Sequence, residues 1–181
     1  MNPPRPTGLV RAFLAMSLDG FIAGPDDDLS WLPHGDLPGP GAIDLDHFLA
    51  EVGAMLMGRR TYDVVAGFGS WSYGEIPVLV PTHRPLESVR STVRAVSGPM
   101  ADLIDHALAV ADGKDVYVDG GDVVRQALDA ERLDELILTV VPVVLGSGVR
   151  LFGAATEPHR FTFAPPTPYG SMVQLRLRAA S

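Results

Sequence analysis

The apolar residues of this 181-residue chain change their pattern once, near Leu133, and that change constrains the fold more than any other feature. Before it, β-type runs alternate with segments of helical spacing. Strands joined by helices are typical of a largely parallel sheet, because a parallel neighbour needs a crossover connection. After it, the β-type runs follow one another through turns, which favours antiparallel pairing. The predicted strands are 9–16, 21–23, 54–57, 76–80, 92–96, 116–118, 136–145, 160–163 and 171–177, and the predicted helices are 44–52, 99–111 and 122–130.

The composition of the chain excludes several classes of protein. Without cysteine the chain can form no disulfide, no thiolate nucleophile and no cysteine-ligated zinc site. The five histidines are scattered along the sequence, so we expect no metal site. A net charge of -8 argues against a nucleic acid partner, and an anionic cofactor would then need a local basic pocket.

No segment of the chain predicts a membrane span or a leader. The longest apolar stretches are too short or too interrupted to cross a bilayer, and residues 1–8 lack the apolar core of a signal peptide. Nothing in the sequence looks like a linker between two domains. We therefore expect a cytoplasmic protein with no membrane partner and a single domain over residues 1–181.

Two distant segments place glycine where a predicted strand is followed by a helix. In the first, 57–62, Gly58 precedes two arginines; in the second, 116–124, Asp119 precedes two glycines. A helix N-terminus offers unpaired backbone N–H groups and the positive end of the helix dipole, and glycine lets a phosphate approach the backbone closely. The arginines would add charge-assisted hydrogen bonds. The two segments together predict a nucleotide cofactor.

Four segments, 17–23, 58–61, 119–121 and 142–148, together resemble the dihydrofolate reductase superfamily. The resemblance is to its branch with the reductase domain of riboflavin biosynthesis, the C-terminal domain of bifunctional deaminase-reductases. It covers almost the whole chain in the right order. It implies an α/β, dihydrofolate reductase-like three-layer fold, with helices on both faces of a mixed, mostly parallel eight-stranded sheet whose C-terminal strands are antiparallel. It also implies NADPH as cofactor and a homodimer.

The resemblance implies which residues bind the cofactor. Ala15 and Ile22 would flank the nicotinamide through backbone groups. The 58–61 segment would contact the pyrophosphate and the adenosine 2′-phosphate, with 82–83 near the latter, and the 120–123 turn would face the pyrophosphate. From the residues alone, core packing of Ala15 and Ile22 and ordinary polar turns at 82–85 and 119–122 stay open. The implied cofactor-binding residues are Ala15, Ile22, Gly58, Arg59, Arg60, Thr61, Thr82, His83, Gly120, Gly121, Asp122 and Val123.

Hydride transfer leaves negative charge on a heteroatom, so an acid or an ordered water must supply a proton. Asp44 and Asp119 are the candidate catalytic acids. Asp44 begins a predicted helix, where dihydrofolate reductases place the acid that holds the pterin; it fits equally well as an acid that stabilises its own helix. Asp119 precedes two glycines, where the riboflavin-type reductases commonly place an acid that faces the substrate.

Asp19 and Trp31 are the candidate substrate-binding residues. Asp19 follows the first predicted strand, and fixing the turn there is its alternative role. Trp31 follows the 24–28 loop, which in this superfamily closes over the nicotinamide; lining a substrate cleft and capping the core are both open to it.

The chain departs from the riboflavin branch in one helix. Enzymes that reduce the phosphorylated ribosylaminouracil resemble one another in an arginine ahead of the segment equivalent to 58–61, where it helps to bind the substrate phosphate. Residues 48–53 contain no arginine, and Glu51 would repel a phosphate if it faced the site. The zinc deaminase domain fused to many of these reductases is also missing from a cysteine-free chain.

We therefore expect an NADPH-dependent reductase that transfers hydride to a nitrogen heterocycle or glycosylamine. Its substrate would be a small molecule, pterin- or aminouracil-like, as in riboflavin biosynthesis. Dihydrofolate reductase activity is the alternative that Asp44 would support. A non-catalytic NADPH-binding module is an alternative of another class.

Overall fold

The computed structural model describes residues 7–33, 35, 37–153 and 157–180, which form one large β-sheet, helices on both of its faces and a small two-stranded sheet. The strands are β1 (Val10–Ser17), β2 (Phe21–Ala23), β3 (Val52–Met57), β4 (Val78–Pro81), β5 (Val93–Val96), β6 (Asp115–Asp119), β7 (Glu135–Val141), β8 (Val149–Arg150), β9 (Phe161–Phe163), β10 (Thr167–Tyr169) and β11 (Met172–Ala179). The helices are α1 (Leu45–Glu51), α2 (Arg59–Ala66), α3 (Met100–Ala111) and α4 (Gly121–Asp129).

The large sheet has the order β10-β11-β7-β1-β6-β3-β4-β5, with β9 also paired to β11. From β7 to β5 all neighbours are parallel, whereas β11 pairs antiparallel with β7, β9 and β10. The predicted mixed, mostly parallel sheet with antiparallel C-terminal strands is therefore confirmed. Among the described residues the sheet has nine strands rather than the expected eight.

Each face of the sheet has its own hydrophobic cluster. On one face, buried residues of α3 and α4 such as Ile104 and Val124 pack against sheet residues such as Leu56. On the other, Phe48 of α1 and Tyr62 of α2 pack against a second set of sheet residues. Successive residues of a strand point to opposite faces, so each central strand contributes to both clusters. This arrangement confirms helices on both faces.

Some strand boundaries differ from the predicted ones for local reasons. The predicted strand 136–145 ends at Val141, and Pro142 follows, which has no N–H to donate to a ladder. The short strand β10 contains Pro168, and a proline is tolerated there because β10 is at the edge of the sheet. The two-residue strand β8 pairs with β2 and was not predicted.

A buried ion cluster lies at the amino ends of the central strands. Arg11 is 3% exposed and donates to Glu135 and Asp115, each at 2.8 Å, and to Glu51. Its guanidinium also lies 4.9 Å from the centre of the Phe48 ring. Glu51 therefore contacts this cluster, at the opposite end of the strands from the residues predicted to bind the cofactor.

The four helices of the described part of the chain are all too short or too polar to cross a membrane.

Candidate cofactor and substrate site

A cavity of about 690 Å³ lies along the carboxyl ends of β1, β6, β3 and β4. Open α/β sheets place ligands at this edge. The cavity brings together every predicted cofactor-binding residue and one of the two predicted catalytic acids. The predicted residues that line it are Ala15, Ile22, Gly58, Arg59, Arg60, Thr61, Thr82, His83, Asp119, Gly120, Gly121, Asp122 and Val123.

Two helices begin at this cavity, each with a glycine as its N-cap. Gly58 precedes α2 and Gly120 precedes α4, and neither glycine has a side chain that could accept from the first-turn N–H groups. The Gly58 N–H donates to the Asp119 carbonyl at 2.9 Å, which fixes the two helix starts beside each other. Two helix N-termini without side-chain caps can bind an anion such as a pyrophosphate.

The turn at Gly120 and Gly121 lies so close to its neighbours that a side chain at either position would meet them. Gly120 has a φ of +99°, which favours glycine, and a Cβ there would overlap the Thr61 hydroxyl. A Cβ on Gly121 would lie 3.0 Å from Cδ1 of Ile22. The backbone of this turn can therefore approach Thr61 and Ile22 closely, as a dinucleotide site requires.

Arg59 and Arg60 bring positive charge to the N-terminus of α2. Arg59 donates from Nε to Asp63 at 2.8 Å and from Nη1 to the Thr82 hydroxyl at 3.2 Å, so its guanidinium reaches the end of β4. Arg60 donates from Nε to Asp27 at 2.7 Å, which links α2 to the 24–32 loop. Cations are unfavourable at a helix N-terminus. Pairing with Asp63 and Asp27 partly offsets this cost, and the two guanidinium groups can also bind an anion at this end of the helix.

Asp119, the last residue of β6, is a buried acid in this cavity. It is 7% exposed, and the Tyr73 hydroxyl donates to its Oδ2 at 3.5 Å. Burial raises the pKa of Asp119 to about 6, although hydrogen bonds from the Tyr117 side chain, the Gly120 backbone and the Tyr73 side chain oppose the rise. Burial and the Asp119 charge also raise the pKa of Tyr73 far above its ordinary value, so Tyr73 keeps its proton at neutral pH. A carboxyl group with a pKa near neutrality can donate a proton in catalysis.

Asp19 holds a turn and is not among the residues that line the cavity. Its carboxylate accepts from the N–H groups of Leu145 and Gly146 at 3.1 and 2.7 Å and from the Ser17 hydroxyl at 2.7 Å. Although desolvation opposes ionisation, these hydrogen bonds lower the pKa of Asp19 to about 2. The contacts correspond to the turn-fixing alternative.

Asp44 is the N-cap of α1 and is also absent from the cavity lining. Its carboxylate accepts from the backbone N–H of His47 at 2.8 Å. Hydrogen bonds from the backbone and the side chain of His47 lower the pKa of Asp44. This geometry corresponds to the helix-stabilising alternative rather than to an acid that holds a pterin.

Trp31 does not line the cavity, although its neighbours in the sequence do. Its indole N–H donates to the Asp28 carbonyl at 3.1 Å. Leu29 and Leu32 are the residues of this loop that reach the cavity. The loop therefore covers the cavity with leucine side chains rather than with the indole.

The apolar part of the cavity lining was not predicted from the sequence; it is formed by Phe13, Val64, Val65, Phe68 and Tyr73. A signal for three of them was present, because Thr61 and residues 64, 65 and 68 have the i, i+3, i+4, i+7 spacing of one helix face. Phe13 alternates along β1 with residues of the opposite face. No pattern in residues 67–77 indicates that Tyr73 reaches Asp119.

No group of three histidine, aspartate or glutamate side chains within metal-binding reach occurs in the described ranges; His34 and Asp36 lie outside them.

Residues 75–175 match the family model of the RibD C-terminal domain. Over 165 residues the chain is 30% identical to the uncharacterized protein YwjB of Bacillus subtilis (strain 168), with 90% of this chain and 93% of YwjB covered. The crystal structure of a Shewanella sp. PV-4 protein, assigned by name to riboflavin biosynthesis, matches with a TM-score of 0.82 at 29% identity, covering 96% of this chain and 99% of that one. Dihydrofolate reductase from Enterococcus faecalis, solved with NADP(H), matches with a TM-score of 0.63 at 18% identity, covering 96% and 97%. This chain therefore belongs to the RibD C-terminal domain family and has the dihydrofolate reductase-like fold.

Proposed function

We propose that this protein is an NADPH-dependent reductase that transfers hydride to a carbon of a nitrogen heterocycle or glycosylamine, of the 5-amino-6-(5-phosphoribosylamino)uracil reductase type. The observation that carries the proposal is the meeting, in one cavity, of two glycine-capped helix N-termini and the buried acid Asp119. The first feature suits a dinucleotide and the second suits a reaction that consumes a proton.

The residues of the cavity suit NADPH in three ways. The first turns of α2 and α4 would bind the pyrophosphate through backbone N–H groups. Arg59, held against Thr82, would pair with the 2′-phosphate, because a guanidinium matches two phosphate oxygens at once. Ala15 lies on β1, which β6 and β3 separate from β4 and Thr82, and with Ile22 it would flank the nicotinamide. When bound, NADPH supplies the hydride.

Asp119 would complete the reaction by protonating the heteroatom beside the carbon that receives the hydride. Its burial keeps the proton on the carboxyl group up to about pH 6 and excludes bulk water from the reacting atoms. Tyr73 would orient the carboxyl group through its hydroxyl and would not lose its own proton. Because Asp44 caps α1 outside the cavity lining, the dihydrofolate reductase alternative has no acid from that helix to support it.

The proposal includes a cytoplasmic homodimer, on the resemblance to the riboflavin branch. Analytical ultracentrifugation of the purified protein tests the dimer.

A cofactor titration tests the proposal at its first step. We would titrate the protein with NADPH and with NADH and follow tryptophan fluorescence, first for the wild type and then for Arg59→Gln. The wild type should prefer NADPH, and the variant should lose about tenfold to a hundredfold of that preference, the usual range for one charge-assisted contact. Arg94→Gln, an exposed change on β5 outside the cavity lining, is the matched control.

Two results would contradict the proposal. Failure of the wild type to bind either nucleotide would remove the cofactor role of the cavity. An equal loss of NADPH affinity in the Arg59 and Arg94 variants would mean that net charge, and not a local phosphate contact, determines binding.

A further inference from the structure

One part of the cavity, which we call the aromatic end, is defined by Phe13, Val64, Phe68, Tyr73 and Asp119. Phe13 and Tyr73 pack against the cluster on the α1 and α2 face of the sheet. Asp119 follows Tyr117 of that cluster by two residues in β6, so its side chain lies on the same face. The aromatic end thus combines apolar side chains with one buried carboxyl group.

Two of the three basic residues that line the described cavity are already held by other side chains. Among the described residues that line the cavity, the basic ones are Arg59, Arg60 and His83. The Arg59 guanidinium contacts Thr82 at the end of β4, and Arg60 is paired with Asp27. His83 follows β4 and lies on the same side as Thr82. The charges that could receive a phosphate are therefore those that the proposed cofactor would use.

A substrate phosphate at the aromatic end would meet unfavourable surroundings. It would lose its water against apolar side chains and would face the carboxyl group of Asp119 without a cation to compensate. The Glu51 side chain does not change this balance, because it is held by Arg11 at the other end of the sheet. The surface instead suits a flat ring whose edge carries N–H groups, since a buried carboxyl group needs hydrogen-bond donors.

Resting on the proposed function, we propose that the aromatic end takes an unphosphorylated nitrogen heterocycle, which presents N–H donors to Asp119 and packs its ring against Phe13 and Tyr73. This class excludes the ribosyl phosphates that the reaction type named above would allow. The hydride and its electron pair go to a ring carbon, reducing the heterocycle and oxidising NADPH to NADP⁺. The proton on Asp119 goes to the adjacent ring nitrogen, and the carboxylate regains a proton from water.

The test is a binding experiment that does not depend on turnover. Protein saturated with NADP⁺ would be titrated calorimetrically with 2,4-diaminopyrimidine, whose protonated ring nitrogen and neighbouring amino group form two parallel donors. The affinity should fall by about tenfold to a hundredfold in Asp119→Asn, because one charge-assisted pair is lost. It should be unchanged in Asp46→Asn, which makes the same chemical change at an exposed carboxyl group outside the cavity lining.

A second pair of probes tests the absence of a phosphate subsite. 5-Amino-6-(ribosylamino)uracil and its 5′-phosphate differ only in the phosphate. The unphosphorylated compound should bind at least about tenfold more tightly. Equal or tighter binding of the 5′-phosphate would overturn the inference. So would a failure to bind diaminopyrimidine, or a diaminopyrimidine affinity that is the same in Asp119→Asn as in the wild type. If NADP⁺ binds in such an experiment, the cofactor role still stands; if NADP⁺ itself fails to bind, the proposed function fails first.

Discussion

Replacement of Asp119 by asparagine should change the free energy of unfolding more favourably above pH 6 than at pH 4. In the folded state the pKa of Asp119 is raised to about 6, from an ordinary value of 3.8. Between these two pH values the folded chain keeps a proton that the unfolded chain has released, so the free energy of unfolding falls as the pH rises. Above pH 6 the whole loss in the free energy of unfolding is present. It is about 3 kcal/mol, at 1.36 kcal/mol for each pKa unit.

The asparagine variant has no such titration, so its stability should not fall over this pH window. The quantity to compare is the difference in free energy of unfolding between variant and wild type, measured by urea denaturation at pH 4, 5, 6 and 8. Packing changes caused by the amide cancel when the difference at pH 4 is subtracted from that at pH 8. Because an unfolded carboxyl group is already partly ionised at pH 4, the remainder should be about +2 to 3 kcal/mol in favour of the variant.

Asp44→Asn provides a control with the opposite sign. The pKa of Asp44 is lowered by hydrogen bonds from His47, so its carboxylate stabilises the fold above its unfolded pKa and loses this effect as the pH falls. That variant should therefore be relatively weaker at pH 8 than at pH 4. A difference between Asp119→Asn and wild type that stays constant from pH 4 to pH 8 would refute the view that burial keeps Asp119 protonated.

Gly120→Ala should lower the free energy of unfolding by about 1 to 3 kcal/mol and abolish NADP⁺ binding, because alanine is strained at a φ of +99° and its Cβ would overlap Thr61; an unchanged urea midpoint would contradict the close approach. Arg11→Met should cost about 3 kcal/mol of stability, the lower end for a broken buried pair, because Glu135 keeps Arg176 at 2.8 Å. NADP⁺ affinity should be unchanged in that variant, since the ion cluster is at the other end of the strands, and a parallel loss of affinity in a fluorescence titration would show that the two ends are coupled.

The order of strands and helices could be predicted because each element carries its own pattern. Residues 99–111 repeat apolar positions with helical spacing, and α3 follows them within one residue. The predicted end of β7 was less accurate. The apolar run of the sequence continues past Val141, whereas the hydrogen-bond ladder of β7 stops before Pro142. A two-residue strand such as β8 has too few residues to show any period.

The residues predicted to bind the cofactor could be picked out of the sequence for a different reason. Glycines and arginines at a strand-to-helix junction are a local requirement of phosphate binding, so they are visible in the sequence, and the cavity contains all of them. The contact between Tyr73 and Asp119 joins residues 46 positions apart in a stretch without periodicity, so only the fold reveals it. Asp44 shows the reverse problem, because capping a helix and binding a ring ask for the same residue at the same place.

The two glycine N-caps belong to helices on opposite faces of the sheet, and each helix packs in a different hydrophobic cluster. A dinucleotide in contact with both would join the two layers across the sheet edge, with its binding energy shared between them. At a concentration a hundred times its dissociation constant, such a ligand adds about 2.7 kcal/mol to the free energy of unfolding. The bound ligand would stabilise α2 and α4 together, so the backbone amides of both helices should exchange with solvent more slowly, as one cooperative unit.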